Sequence, residues 1–262
     1  QEVDKIARVA PGARVFCRIL CDGAGADWPL SRKFGCEPAM APRVLEHAHA
    51  HGLVAHGISF HVGSQQKNPQ AWDQALASAA QIFRTLAERG IQLKMVNLGG
   101  GFPSHRLRDV PAKETYGQAI FTALRAHFGN RIPETIIEPG RGMVADAGVI
   151  KAEVVLISKK SDSDTMRWVY LDIGKFGGLA ETMDEAIRYP IRTLRDGDDL
   201  APVILAGPTC DSADVLSEKT PFMLPVSLEI GDEVLIEATG AYTTTYAANH
   251  FNGIPPLAYF AI

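Results

Sequence analysis

Four strand signals recur at a nearly constant spacing in the first 145 residues, and this repeat limits the folds open to the chain. They begin near residues 14, 55, 94 and 135, and helical patterns cover residues 42–50, 69–89 and 114–128. Asn68 and Pro69 are predicted to open the second helix, with Asn68 as its N-cap. Alternating strands and helices predict parallel strands joined by right-handed crossovers. The four units are half of the eight that a closed (β/α) barrel needs.

The pattern changes after about residue 145. Short apolar runs separated by Pro, Gly and Asp predict strands over residues 147–158, 166–172, 202–206, 226–229 and 233–238. The interpretation is α/β plus β, with half of a (β/α)8 barrel in residues 1–145. Residues 146–262 are expected to form an antiparallel β domain of the β-sandwich or Greek-key type.

Composition excludes several classes of protein. Of the 262 residues, 46% are hydrophobic and 21% are charged, which is typical of a globular chain and not of a disordered one. The net charge of −4 shows no excess of basic residues that would favour binding to nucleic acid. No apolar run approaches the roughly 18 residues of a membrane span. Four cysteines are too few for a disulfide framework, and the spacing of Cys17 and Cys21 fits zinc poorly, so no metal is predicted. We expect a cytoplasmic protein with a small-molecule partner.

Three motifs follow predicted strands of the barrel region. Residues 60–64 read Phe-His-Val-Gly-Ser, and His61 is either a core histidine or a ring that stacks on a flat ligand. Residues 97–103 hold three consecutive glycines, which form either a tight turn or a loop whose backbone N–H groups approach a phosphate. Residues 138–141 read Glu-Pro-Gly-Arg, and Glu138 either joins a surface ion pair or faces a protonated ring nitrogen.

Three further motifs lie in the β region. Cys210 sits between Gly207-Pro208 and Asp211, where it is either a small apolar filler or a proton donor. Tyr242 in Gly-Ala-Tyr-Thr either packs in the core or offers a hydroxyl to a phosphate. Residues 251–253 read Phe-Asn-Gly.

Taken together, these motifs resemble those of the pyridoxal-phosphate-dependent decarboxylases of basic amino acids, which have an alanine-racemase-like barrel. His-Val-Gly-Ser, Gly-Gly-Gly-Phe-Pro, Glu-Pro-Gly-Arg, Gly-Pro-Thr-Cys-Asp-Ser, Gly-Ala-Tyr-Thr and Phe-Asn-Gly occur in the family's order from about Val15 to the C-terminus. The cysteine loop and residues 171–178 look most like those of bacterial ornithine decarboxylases.

The resemblance implies a role for each site residue. His61 would stack on the pyridoxal phosphate ring, Glu138 would pair with the ring nitrogen, and Cys210 would protonate the carbon that loses carbon dioxide. The implied cofactor-binding set is Arg18, His61, Ser64, Gly99, Gly100, Gly101, Glu138, Gly140, Arg141 and Tyr242. The implied substrate-binding set is Asp172, Asp211 and Phe251.

The implied reaction is decarboxylation of a basic amino acid, with L-ornithine giving putrescine as the first choice. Lysine or diaminopimelate decarboxylase, a non-catalytic decarboxylase homologue and a racemase are the alternatives, and the Cys210 loop argues against the racemase. The resemblance also implies a homodimer with shared active sites, in which Cys210 and Asp211 reach into the neighbour's site and Lys33 pairs with Asp214.

The family's Schiff-base lysine has no counterpart in this sequence, because it lies on the first barrel strand, before the residues present here. We therefore expect the chain to be the C-terminal part of a longer enzyme, holding the last four barrel units. Another copy, or a separate N-terminal fragment, would supply the rest. The 262-residue chain alone is expected to be inactive.

Overall fold

The computed structural model describes all 262 residues, which form two compact units. Unit 1 holds residues 1–103 and 110–140, and unit 2 holds residues 104–109 and 141–262. The division falls five residues before the predicted boundary, and the loop 104–109 belongs to the second unit although the barrel region surrounds it in sequence.

Unit 1 is a partial barrel of parallel strands with helices between them. The sheet has the order β1-β3-β5-β6 with every pair parallel, so strands adjacent in sequence are adjacent in space. Its strands are β1 (Arg14–Arg18), β3 (Val54–Ser59), β5 (Met95–Asn97) and β6 (Glu134–Ile136), and the antiparallel pair β2 (Ala26–Trp28) and β4 (Ser64–Gln66) lies outside it. The helices are α1 (Glu2–Val9), α2 (Ala41–Ala50), α3 (Ala71–Ala87) and α4 (Lys113–Phe128). The four predicted strand starts are each within one residue of those observed.

Helix α3 contributes an apolar stripe that includes Trp72, Leu76 and Ala79 to the core of unit 1. Trp72 is fully buried, donates its indole N–H to the Leu98 carbonyl at 3.2 Å and stacks on Phe102. The prediction that Asn68 caps this helix is wrong. Helix α3 begins at Ala71 after an N-cap at Gln70. The Asn68 side chain instead accepts the Gln70 N–H in a turn that precedes the helix.

Unit 2 contains a mixed sheet, which corrects the prediction of a purely antiparallel one. After the short helix α5 (Arg141–Val144) come β7 (Val149–Ser158), β8 (Arg167–Leu171), β9 (Ile191–Thr193), β10 (Leu200–Ala206), β11 (Val215–Pro225) and β12 (Glu233–Glu237). Their order is β11-β10-β8-β7-β12-β9, and β8 and β10 run parallel. Residues 149–153 of β7 pair with β12, whereas residues 154–158 pair with β8. The long strand β7 therefore joins two portions of the sheet.

The predicted strand at residues 226–229 is wrong, because these residues form a turn after β11. Strand β11 was missed because Glu218, Lys219 and Pro221 interrupt its apolar pattern. The strand tolerates the proline because it lies at the edge of the sheet. An edge strand has a neighbour on one side only, so a missing N–H on the other side removes no hydrogen bond between strands. No helix in either unit combines the length and apolar character that crossing a membrane requires.

Candidate functional site

The carboxyl ends of the four parallel strands bring the predicted barrel residues to one edge of unit 1. Arg18 is the last residue of β1, His61 follows β3, the glycines 99–101 follow β5, and Glu138 follows β6. Parallel strands place their carboxyl ends on the same edge, which is where sites of α/β folds are built. The predicted residues of unit 1 are thus brought together as expected from their positions at strand ends.

The glycine loop is held so closely that side chains do not fit. A Cβ on Gly99 would lie 2.1 Å from the Phe60 carbonyl oxygen, and one on Gly101 would lie 2.4 Å from the Gly63 oxygen. Both residues have positive φ, of 66° and 100°. A Cβ on Gly100 would lie 2.7 Å from the backbone carbonyl oxygen of Glu138. The three glycines therefore allow this loop to pack directly against the backbone of the loops that follow β3 and β6.

Replacing Gly99 by alanine is expected to destabilise unit 1 by roughly 2–4 kcal/mol, because the new Cβ adds a backbone clash to a left-handed conformation. Gly117→Ala is the matched control. Gly117 lies within α4 with open space around its Cα, so alanine should stabilise the helix by roughly 0.5–1 kcal/mol. Urea unfolding of both variants measures the difference, and equal effects would contradict this account of the loop.

Asn97 links the glycine loop to Glu138. Its side-chain amide donates to Glu138 Oε1 at 2.7 Å, and its Oδ1 accepts the Gly99 N–H at 2.9 Å. The Glu138 N–H donates to the Gly99 carbonyl at 2.9 Å, which closes the arrangement. Sequence reasoning quoted Asn97 within a motif but gave it no role. The available signal was a polar residue ending a strand whose other residues are apolar and buried.

His61 is half-buried, and its hydrogen bond shows that the imidazole ring is uncharged. The Gly63 N–H donates to His61 Nδ1 at 3.0 Å, which requires a lone pair on that nitrogen. Burial and then the charge of Arg18 lower the pKa of His61, while Glu138 opposes the shift. Arg18 and Glu138 thus both act electrostatically on His61 within unit 1.

The lowered pKa of His61 predicts how unit 1 responds to acid. The unfolded chain takes up the proton first as the pH falls, so the stabilisation that neutral His61 contributes is present above the ordinary histidine pKa and lost below it. An NMR titration of the ring, assigned with His61→Gln, should give a pKa below the ordinary histidine value. A His61 pKa at or above the ordinary histidine value would contradict the placement.

Unit 2 contains the remaining predicted cofactor residues, Arg141 and Tyr242. Arg141 is 3% exposed, and one of its terminal nitrogens donates to both carboxylate oxygens of Glu181 at 2.7 Å. The guanidinium also lies 5.1 Å from the centre of the Tyr242 ring. Burial raises the pKa of Glu181, and Arg141 counteracts that rise. Glu181 was missed because it lies 40 residues from its partner, so no local motif joins the two.

Asp172 and Phe251, both predicted to contact substrate, line one small pocket in unit 2. Phe251 stacks on Phe176 with ring centres 4.3 Å apart. Asp172 accepts the Glu153 N–H at 2.9 Å through one carboxylate oxygen. The complete lining is Asp172, Gly174, Phe176, Gly177, Pro208, Thr209, Ala248, Phe251, Ile254 and Pro255. The pocket is therefore mostly apolar, with one acidic side chain.

The cysteine loop of unit 2 is exposed. The Cys210 N–H and thiol both lie within hydrogen-bonding distance of Asn252 Oδ1, at 3.1 and 3.4 Å. Asp211 accepts the Ala213 N–H. Asp214 has a different role from the predicted pairing with Lys33. Its side chain is buried, with 2% exposure. Its carboxylate accepts hydrogen bonds from the Lys175 N–H and from the N–H and hydroxyl of Thr209. Its carboxylate holds two loops of its own unit together.

Comparison with known proteins assigns the chain to a family. Residues 1–145 match the family described as "Pyridoxal-dependent decarboxylase, pyridoxal binding domain". The chain belongs to this decarboxylase family. The resemblance inferred from the motifs is confirmed.

Several members of the decarboxylase family are similar over most of this chain. The lysine/ornithine decarboxylase of Selenomonas ruminantium is 34% identical over 96% of the chain, and antizyme inhibitor 2 of Xenopus laevis is 32% identical over 96%. The chain spans 62% and 57% of the length of these two relatives. The crystal structure of the Paramecium bursaria Chlorella virus arginine decarboxylase matches with a TM-score of 0.83 and 29% identity, covering 97% of this chain and 67% of that one.

The strand-end residues of unit 1 fit the cofactor of this decarboxylase family. Pyridoxal phosphate has a flat ring, a nitrogen that takes a proton and a phosphate. Unit 1 offers an imidazole at His61, an exposed carboxylate at Glu138 and, at the glycine loop, three consecutive residues of backbone without side chains. These three groups match the ring face, the ring nitrogen and the phosphate in chemistry.

Proposed function

We propose that the protein carrying this chain decarboxylates a basic amino acid with pyridoxal phosphate, and that its substrate is L-ornithine, giving putrescine for polyamine synthesis. The observation that carries the proposal is the cluster of His61, the glycine loop and Glu138 at one edge of the parallel sheet. Ser64 and Gly140 adjoin these motifs in sequence and are proposed to add to the phosphate site. Arg141 and Tyr242 keep the cofactor-binding role that the resemblance implies.

Bound pyridoxal phosphate supplies an acceptor for the electron pair that remains when carbon dioxide leaves. His61, neutral at physiological pH, offers its ring face to the flat cofactor. Glu138 favours a protonated ring nitrogen because an adjacent negative charge stabilises the cation. Asn97 fixes the carboxylate of Glu138 through its amide and holds the glycine loop through its carbonyl. Arg18 adds positive charge at the same strand edge, where the cofactor's phosphate and the substrate's carboxylate are anionic.

The pocket of unit 2 supports a substrate with a second amino group. Its mostly apolar lining is compatible with a methylene chain, and we propose that the Asp172 carboxylate binds the terminal ammonium. Diaminopimelate carries a second carboxylate, and the lining contains no Lys or Arg to pair with it. Lysine remains the nearest alternative to ornithine, because it differs by one methylene.

Cys210 is proposed to deliver the proton to the carbon that loses carbon dioxide. Its exposed position allows it to serve a site on a neighbouring subunit, together with Asp211. A cytoplasmic homodimer with shared active sites is the corresponding assembly.

The edges of the parallel sheet support the proposal that more polypeptide covers unit 1. Phe16 on edge strand β1 is 52% exposed, and Ile136 and Ile137 at edge strand β6 are 39% and 49% exposed. Exposed apolar residues on an open sheet edge are a liability that proteins normally cover. We propose that the covering part also carries the Schiff-base lysine, so the 262-residue chain alone is expected not to decarboxylate.

A non-catalytic role is the second candidate, favoured by the similarity to antizyme inhibitor 2. Retention of Glu138, His61 and Cys210 together favours catalysis, since each has a chemical task and none is needed for a binding surface.

A substrate panel tests the proposal. The protein that contains this chain, purified from the cells that make it, is assayed with L-ornithine, L-lysine, L-arginine and meso-diaminopimelate, and the amine products are identified by mass spectrometry. We expect the highest kcat/KM with ornithine. A preference for diaminopimelate would overturn the substrate assignment, and no turnover with any of the four would support the non-catalytic role.

A further inference from the structure

Helices α1 and α2 bring together three groups that bind metal ions. His47 and His51 are four residues apart at the end of α2, so their rings lie on one face of the helix, with ring centres 4.1 Å apart. Asp4 on α1 approaches the same face, and its Oδ1 accepts a hydrogen bond from His47 Nε2 at 2.6 Å. One ligand atom from each residue lies within 4.8 Å of the other two, and all three residues are exposed.

The hydrogen bond of His51 prepares its ring to act as a ligand. His51 Nδ1 lies 2.8 Å from the His47 carbonyl oxygen. A carbonyl only accepts, so Nδ1 carries the proton and Nε2 of the neutral ring carries the lone pair. A donated N–H to a backbone carbonyl is the usual way in which metal-binding histidines are oriented.

We propose that Asp4, His47 and His51 form a binding site for a divalent transition-metal ion such as Zn²⁺. Two imidazole nitrogens and a carboxylate oxygen are a donor set that zinc prefers, and water from the exposed side would complete a tetrahedral site. The ion replaces the proton that His47 shares with Asp4.

The site would fasten α1 to α2. No residue of α1 is fully buried, so its apolar contacts alone hold it weakly. A metal ion shared by the two helices adds a link at the Asp4 end of α1. Bound ion is therefore expected to slow hydrogen exchange in residues 2–9.

Calorimetric titration of the untagged 262-residue chain with ZnCl₂ at neutral pH tests the proposal. We expect saturable binding of one ion per chain. Losing an orienting partner already costs about 10–100-fold in metal affinity, so His51→Ala and His47→Ala should each weaken binding by at least about 10-fold. Asp4→Asn should weaken it in the same direction.

His49→Ala is the matched control, because His49 is an exposed histidine on the same helix outside the cluster. Its Zn²⁺ affinity should equal that of the parent chain. The proposal is overturned if the parent shows no saturable binding, or if His49→Ala weakens binding as much as His51→Ala. Hydrogen exchange in residues 2–9 that is unchanged by Zn²⁺ would contradict the fastening of α1.

Discussion

Replacing Glu138 by glutamine is expected to lower the decarboxylation rate about 10²–10³-fold, the usual cost of removing one electrostatic group at a reacting centre. Glutamine has the same shape and can still accept the hydrogen bond from the Asn97 amide. It lacks the negative charge that favours a protonated ring nitrogen. The fold should therefore be retained while the chemistry is impaired.

The Glu138→Gln variant is compared with Glu134→Gln in the protein that contains this chain. Glu134 begins β6, is exposed and lies 3.6 Å from His56, so its charge belongs to a surface pair. We expect wild-type kcat for Glu134→Gln and a large loss of kcat for Glu138→Gln, with matching circular dichroism spectra. Comparable rates for the two variants would refute the role of Glu138.

Replacing Arg141 by methionine is expected to destabilise unit 2 by roughly 3–5 kcal/mol at neutral pH, because it leaves the carboxylate of Glu181 buried without its cation. Arg141 lowers the pKa of Glu181, so the variant raises that pKa further. A carboxyl group whose folded-state pKa is raised destabilises the fold as the pH rises from its ordinary pKa towards the raised one. The loss should therefore shrink in acid.

Urea unfolding followed by hydrogen exchange in β7–β12 measures the effect of Arg141→Met on unit 2. Arg195→Met is the control, because Arg195 and Asp232 form a more exposed pair in the same unit, and its loss should cost less than about 1 kcal/mol. Adding Glu181→Gln to Arg141→Met should restore stability at neutral pH. A double variant no more stable than Arg141→Met would contradict the buried-pair interpretation.

Much of unit 1 could be predicted because its signals are local. The strand starts, the helical ranges and the motifs at strand ends depend on residues close in sequence, and parallel strands then gather those motifs at one edge. The same locality explains why the motifs of His61 and Glu138 could be assigned to strand ends from the sequence, whereas Arg18 was implied only by the resemblance.

The failures come from interactions between residues distant in sequence or from position within a sheet. Pro221 concealed β11, since only the sheet order reveals that this strand lies at an edge. The resemblance implied a subunit contact for Asp214, and the sequence could not reveal its burial between two loops because that burial depends on tertiary structure. Asn97 and Glu181 were missed because each acts on a partner about 40 residues away.

The most direct test of the central claim is binding of pyridoxine 5′-phosphate to the 262-residue chain. This analogue has the ring and phosphate of the cofactor but no aldehyde, so surface lysines do not react with it. Fluorescence titration should show saturable binding at one site per chain, weakened by His61→Ala and by Glu138→Gln but unchanged by Glu134→Gln. Absence of saturable binding, or binding that all three variants leave unchanged, would contradict a cofactor site at the strand ends of unit 1.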